Sequence, residues 1–263
     1  MHTQTEHREN VLITGASRGI GLALAREFAR HGHNLVLVAR DGHQLDAVAN
    51  ELKAGHGIDV RTIVADLARP DAPQAIFDQI GQWQIPIDIL INNAGIASYG
   101  KFSETDLGQE LRMMQINMVS LTHLAKLFLR PMLARNHGRI VNVSSLGGYQ
   151  PGGPLWAVYF ATKSFVLSFS KALGVELRGT GASVTAICPG ATDTDFKEAY
   201  HLGQTLLYRF LASSPEQVAR SAYCGIMRRR SVVVPGLINK MFAIAGELPP
   251  RRIALEINAW LVK

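Results

Sequence analysis

Val11-Leu12-Ile13-Thr14-Gly15-Ala16-Ser17-Arg18-Gly19-Ile20-Gly21 is the stretch that decides the fold. A short apolar run stops at Thr14-Gly15, and an amphipathic pattern resumes from Ile20 to Arg30. That is the signature of a buried strand turning directly into a helix. Glycines at the join serve a tight turn, a close backbone approach and close helix packing. The helix start behind them presents free N–H groups and the positive end of its dipole, a seat for a pyrophosphate. With 24 glycines in 263 residues, the triplet alone is weak evidence. Its place at a strand-to-helix junction points to a dinucleotide site built from Gly15, Ser17, Arg18, Gly19, Ile20 and Gly21.

The same punctuation recurs outward from this stretch. Apolar runs at 35–39, 60–65, 87–91, 140–143, 184–187 and 231–234 alternate with helix-length segments. Short apolar runs between helices indicate βαβ units around a buried parallel sheet. A long helix is expected over 107–133, with Pro131 as a point where it could break, and another over 159–177. No internal repeat, low-complexity tract or interior linker interrupts the pattern, so 1–263 reads as a single domain. Residues 1–9 are expected to be a flexible N-terminus and 236–263 an extra helical tail.

The 47% hydrophobic and 18% charged fractions describe a globule with ample core. Two distant cysteines, Cys188 and Cys224, fit a reducing compartment rather than a disulfide framework. The polar start shows no secretory signal, and no uncharged apolar run has spanning length, so a cytoplasmic location is expected. The nine histidines show no metal-ligand spacing. Net charge is +6, and all of the excess lies in 197–263, where ten Lys/Arg face four Glu. A solvated basic face explains this, and an anionic substrate, acidic partner or membrane surface are the sharper readings. Nucleic acid is not expected, because there is no recognisable module and no interleaving of aromatic with basic residues.

Chemistry centres on Tyr159-Phe160-Ala161-Thr162-Lys163. Residues four apart share a helix face, so the Tyr159 phenol and the Lys163 ammonium are neighbours. A free tyrosine titrates near about 10, and a nearby cation lowers that by favouring the phenolate. Alone, the pair is equally an aromatic beside a solvated lysine. Ser144-Ser145 closes the fifth run, where open α/β sheets collect ligands.

Taken together, Thr14 to Gly21, Asn92-Asn93-Ala94-Gly95, Asn117, Ser145, Tyr159 with Lys163, and Pro189-Gly190 resemble the short-chain dehydrogenase/reductase family. The glycine spacing is G-x-x-x-G-x-G, and the motifs follow in order from 11 to 196. The resemblance implies a doubly wound, Rossmann-type, seven-stranded parallel sheet and hydride transfer with a nicotinamide cofactor. It implies Tyr159 as proton donor and acceptor, and Lys163 as its tuner and a ligand of the nicotinamide ribose. It implies Ser145 as the group polarising the carbonyl, with Ser144 a minor contender, and Asn117 as the holder of a relay water. Further cofactor contacts are implied for Asp66 and Leu67 at the adenine, for Asn93, Ala94 and Gly95 as a wall, and for Pro189, Gly190, Thr192 and Thr194 near the nicotinamide.

Which nicotinamide follows from charge. A carboxylate closing the second strand favours NAD and repels a 2′-phosphate. Here Arg40 stands in that place, with Arg18 as a second cation, so NADP(H) is favoured over NAD(H). Asp41 is the counter-indication. The expected activity is reversible reduction of a hydrophobic ketone or aldehyde, of acyl or aromatic type. Alternatives are an alcohol dehydrogenase working oxidatively, an epimerase or dehydratase with retained cofactor, or a non-catalytic NADP-binding regulator. Tyr149, Leu155 and Trp156 are expected to line one side of the substrate, with 196–211 closing over the other. In the tail, Leu237, Ile238, Met241, Phe242, Ala245 and Leu248, and then Ile253, Ile257 and Trp260, keep helical spacing. Two amphipathic helices are expected, packed on the body or on a second subunit of a homo-oligomer, dimer or tetramer, or else touching a membrane surface.

Overall fold

A computed structural model describes residues 8–195 and 212–247 of the chain. The strands are β1 (Asn10–Thr14), β2 (Asn34–Ala39), β3 (Val60–Val64), β4 (Ile89–Asn92), β5 (Gly138–Val143), β6 (Ala182–Ile187) and β7 (Val232–Val233). They form the seven-stranded parallel sheet that the family resemblance implied, in the order β3-β2-β1-β4-β5-β6-β7. The helices between them are α1 (Gly19–Arg30), α2 (Gly42–His56), α3 (Ala72–Gln82), α4 (Leu107–Met114), α5 (Leu121–Ala134), α6 (Ala157–Glu176) and α7 (Pro215–Met227). A last helix, α8 (Leu237–Glu247), follows β7.

The continuous apolar strands are explained by cover on both faces. Successive residues alternate between two cores. Val11, Ile13, Leu35 and Leu37 pack with Leu24, Phe28 and Leu45 of α1 and α2, and with Ala222 and Ile226 of α7. Leu12, Val36, Val38 and Leu90 point the other way, onto Ile76 and Ile80 of α3 and Leu124, Phe128 and Met132 of α5. The strand order reverses between β1 and β4, and the crevice above that switch point is where such sheets bind ligands.

Several expectations change in detail. The helix expected over 107–133 does not break at Pro131: α5 continues to Ala134, because Phe128 and Met132 on either side are buried in the core. Tertiary packing there overrides the proline penalty of about 3 kcal/mol. A π-helical turn, Gln115–Ser120, joins α4 to α5 without a gap and carries Asn117. Such turns widen the backbone and recur at functional sites. At the N-terminus, Arg8 and Glu9 are held rather than loose. Arg8 Nη1 donates to Gly57 O at 2.7 Å, and Glu9 Oε1 accepts from Arg139 Nη1 at 2.6 Å. The flap expected over 196–211, the second tail helix around Ile253, Ile257 and Trp260, and residues 1–7 lie outside the described residues. Among the described residues, no helix is long and apolar enough to cross a membrane.

Two glycines separate steric need from mere occupancy. A Cβ on Gly21 would collide with Gly15 O, so only glycine lets α1 sit against the turn that precedes it. Gly55, inside α2, has ordinary helical geometry and nothing within 4 Å of a Cβ. Gly21→Ala is therefore expected to destabilise the protein by about 1–3 kcal/mol, as overpacking does. Gly55→Ala is expected to stabilise it by about 0.5–1 kcal/mol. Urea titrations of both variants test this, and equal effects would contradict it.

Candidate active site

A cavity of about 710 Å³ opens at the carboxyl ends of the strands. Its walls come from the turn between β1 and α1 and from the segments that follow β2 to β6. It has a charged end and an apolar end. Every catalytic and cofactor-binding residue expected from the sequence lines it except Asn117, which lies behind the wall.

The glycine turn forms one flank. Gly15 and Gly19 adopt left-handed backbone, φ 66° and 56°, which costs a non-glycine residue about 1–2 kcal/mol. Arg18 caps α1 in extended conformation, and the first turn of α1 carries no acidic side chain to offset its dipole. Thr14 Oγ1 accepts from the N–H groups of Asn93 and Ala94, each at 3.0 Å. In return, Asn93 Nδ2 donates to Thr14 O at 2.9 Å and Gly15 O at 3.2 Å. Asn93 thus staples β4 to the glycine turn across the switch point.

Arg40 follows β2 directly and is exposed at the cavity edge. The competing carboxylate is committed elsewhere: Asp41 Oδ1 accepts from Gln44 N at 3.0 Å and caps α2. Arg18 Nη1 lies 3.9 Å from Asp195 Oδ2 with both groups exposed, a weak pairing. Asp66 accepts from Ala68 N at 3.0 Å and from Arg112 Nη2 at 2.6 Å. Burial pushes its carboxyl up, but the Ala68 N–H, Arg112 and the charge of Arg40 outweigh this and hold it below the usual carboxylate range. The Ser120 hydroxyl, at the end of the π-helical turn, donates to Leu67 O at 2.7 Å.

At the apolar end, the two serines separate. Ser144 is buried, and its hydroxyl donates to Lys163 O at 2.7 Å, which ties α6 to the end of β5. Ser145 Oγ accepts from Gly147 N at 3.1 Å, capping a 3₁₀ turn, Leu146–Gly148, and keeps its own proton to donate. Tyr159 and Lys163 share a face of α6, with Lys163 Nζ 5.8 Å from the phenol ring centroid. Lys163 Nζ donates to Val143 O at 3.0 Å. Burial pushes this lysine down from 10.5 to about 8.

Asn117 is fixed on three sides. Its Oδ1 accepts from Ile96 N at 3.1 Å, and its Nδ2 donates to Ile96 O at 3.0 Å and Thr162 Oγ1 at 3.1 Å. Gly95 bridges it to the lysine: a Cβ there would lie 3.3 Å from Asn117 Oδ1 and 3.5 Å from Lys163 Nζ. Beyond β6, Leu146 N donates to Pro189 O at 2.7 Å and Thr192 Oγ1 to Gly190 O at 3.1 Å. The Thr194 methyl lies 3.4 Å from where a Cβ on Gly19 would sit, so this loop meets the glycine turn. The space beside Gly190 is filled by Asn239 of α8. Its glycine therefore admits the tail helix, a partner not foreseen in the sequence.

Of the three residues expected on the substrate side, only Trp156 lines the cavity. Leu155 takes a left-handed φ of 66° and packs against Ala97 and Trp156, while its carbonyl accepts from Gly100 N at 2.9 Å. Tyr149 turns toward Leu167 and Cys188, with Lys171 Nζ 4.9 Å from its ring centroid. Phe160, Gln150 and Phe242 line the cavity instead, and Arg112 backs Asp66. The helical spacing of the tail flagged Phe242 as a packing residue, but nothing local says that α8 returns over the cavity.

The geometry has relatives. The model of the short chain dehydrogenase family matches residues 9–204. Ketoacyl reductase HetN of Nostoc sp. is 30% identical over 257 residues, covering 93% of this chain and 86% of that protein. Oxidoreductase UcpA of Escherichia coli is 36% identical over 191 residues, covering 73% and 72%. Among solved structures, a short-chain dehydrogenase from Sphingobium yanoikuyae in complex with NADPH matches with a TM-score of 0.80 and 36% identity, over 90% of this chain and 92% of that one. A family match over most of the chain, carried by a seven-stranded parallel sheet with a glycine turn at its switch point, makes this protein a member of the short-chain dehydrogenase family of oxidoreductases.

Proposed function

We propose that this protein is an NADPH-dependent carbonyl reductase acting reversibly on an apolar ketone or aldehyde. One observation carries the reading: Ser145, Tyr159 and Lys163 line the apolar end of a cavity whose other end presents Arg18 and Arg40. The relatives named for ketoacyl reduction and the neighbour solved with NADPH support it.

The residues present fit a phosphorylated dinucleotide. Arg40 stands where an NAD site needs a carboxylate, Asp41 is spent on capping α2, and α1 offers an undiluted positive end. When bound, the dinucleotide supplies the hydride. The Tyr159 phenol gives its proton to the carbonyl oxygen, and takes it back in the reverse direction. Ser145 donates its free hydroxyl proton to the same oxygen, stabilising the charge that develops there. Lys163, as an ammonium, favours the tyrosinate and binds a ribose hydroxyl. Asn117 holds the backbone of Ile96 against Thr162 of α6, and so keeps the wall behind Lys163 in register.

Three outcomes are expected. Tyr159→Phe should lose about 10²–10⁴-fold in turnover while the NADPH dissociation constant stays unchanged. A phenylalanine variant with full activity on a carbonyl panel would remove the central claim, and turnover without net NADPH consumption would favour an epimerase or dehydratase. Arg40→Ala should lower the ratio of kcat/KM for NADPH over NADH by about tenfold or more, the scale of one lost charge-assisted phosphate contact. A wild-type ratio of one would contradict the assignment.

The third concerns Lys163. Its folded value, about 8, lies below its ordinary 10.5, so the unfolded chain binds the extra proton between these limits. Stability conferred by this site is therefore lowest below pH 8 and rises as pH climbs toward 10.5, at about 1.4 kcal/mol per pH unit. Relative to Lys163→Met, the wild type should gain stability between pH 8 and 10 in denaturant titrations. A constant difference would show that the ammonium is not withdrawn from water.

A further inference from the structure

Helix α8 is fastened over the reacting end at three points. Asn239 is buried against Gly190, and its Nδ2 donates to Pro235 O at 2.7 Å. The carbonyl of Phe242 accepts from Gln150 Nε2 at 3.4 Å. Gly246 lies so close to the preceding turn that a Cβ would sit 2.7 Å from Tyr149 O. Tyr149 and Gln150 directly follow the 3₁₀ turn that Ser145 caps, and Gly190 belongs to the loop after β6. One helix therefore touches the segments on both sides of the reacting groups.

The charge of the cavity is divided. Among the described residues that line it, Arg18, Arg40, Asp41, Asp66 and Asp195 belong to the dinucleotide end, and Lys163 is the one charged side chain at the reacting end. The described residues around Ser145 and Tyr159 there include Leu146, Gly147, Gln150, Trp156, Phe160 and Phe242. Trp156 and Tyr159 already stand as a tilted aromatic pair with centroids 5.5 Å apart.

We propose that Phe242 of α8 is a specificity-determining residue of this enzyme and limits the bulk of a flat apolar group carried beside the carbonyl. The proposal rests on the reductase reading above but names a residue and a substrate class that reading does not require. Phe242 contributes a half-buried ring to the cavity from outside the strands and helices that hold the chemistry. Its size can therefore change the apolar end without moving Tyr159 or Lys163.

The test compares a one-ring and a two-ring ketone, acetophenone and 2-acetylnaphthalene. Their binding to the full chain saturated with NADP⁺ is measured by calorimetry, which needs no turnover, and kcat/KM with NADPH is measured beside it. Phe242→Ala should shift the ratio of dissociation constants toward the two-ring ketone by about tenfold, the scale of discrimination in an apolar pocket. Phe242→Trp should shift it the other way, and Gln150→Ala, which releases the Phe242 carbonyl, should move it in the direction of the alanine variant. The Trp variant and Gln150→Ala keep the test decisive should the alanine variant fail to fold. Unchanged ratios in the folded variants, or no binding of either ketone to the wild type, overturn the proposal. Binding with the expected shifts but without NADPH oxidation upholds it and removes the reductase reading alone.

Discussion

An ammonium withdrawn from water loses several kcal/mol of hydration, and Lys163 bears that loss inside a helix packed on the sheet. What keeps it there is a reciprocal clamp at the end of β5. Lys163 Nζ donates to Val143 O, and the hydroxyl of the next residue, Ser144, donates back to Lys163 O. The side chain and the backbone of one residue are thus held by two successive residues of one strand. Ser145, one position further, lines the cavity. Strand end, lysine and serine form one rigid unit, and Tyr159 is carried one helical turn before the lysine.

The helix that bears this unit is registered by further polar ties through the core. Asn92 Nδ2 of β4 donates to Asn142 Oδ1 of β5 at 2.9 Å, and Asn142 Nδ2 donates to Ser170 Oγ of α6 at 3.0 Å. On the other flank, Asn117 joins the π-helical turn to Thr162. Apolar packing alone tolerates sliding between equivalent volumes, whereas a buried amide has few satisfactory positions. These bonds place α6 along its axis to within hydrogen-bonding tolerance, which is the precision that proton transfer to a carbonyl demands.

Much of this was visible in the sequence, for a definite reason. Gly15, Gly19 and Gly21, or Tyr159 and Lys163, lie within one or two turns of each other, so local geometry alone brings them together. The strands were found because their apolar runs face cover on both sides, and only their ends shifted by a residue or two. Leu155 was placed wrongly because a single left-handed residue redirects a loop, and a leucine gives no sign that it will adopt φ 66°; Tyr149 packs instead against Leu167, Cys188 and Lys171, contacts that no local pattern announces. Arg112 and Phe242 were missed because α4 and α8, which carry them, are remote in the chain from Asp66 and from the reacting end that they join. The π-helical turn left no pattern either: Gln115–Ser120 reads as ordinary helix until its carbonyls are traced.

The remote elements share a physical logic. Ser145 lies just past β5, and Tyr159 and Lys163 lie on α6; Lys163 is braced by two buried hydrogen bonds and Ser145 by the one it accepts from Gly147 N. The groups that bound the apolar end from above arrive on α8, after the sheet is complete, and meet the body through Asn239, Gln150 and Gly246. Its outward residues, Leu237, Ile238, Met241 and Ile244, are exposed, so among the described residues its seat rests on the inward contacts. A substitution on α8 changes the shape of the cavity without disturbing the lysine clamp, whereas one on α6 disturbs both. The lysine clamp and the α8 wall thus come from different parts of the chain, and the glycine at 190, by leaving room for Asn239, is one of the points where the two parts meet.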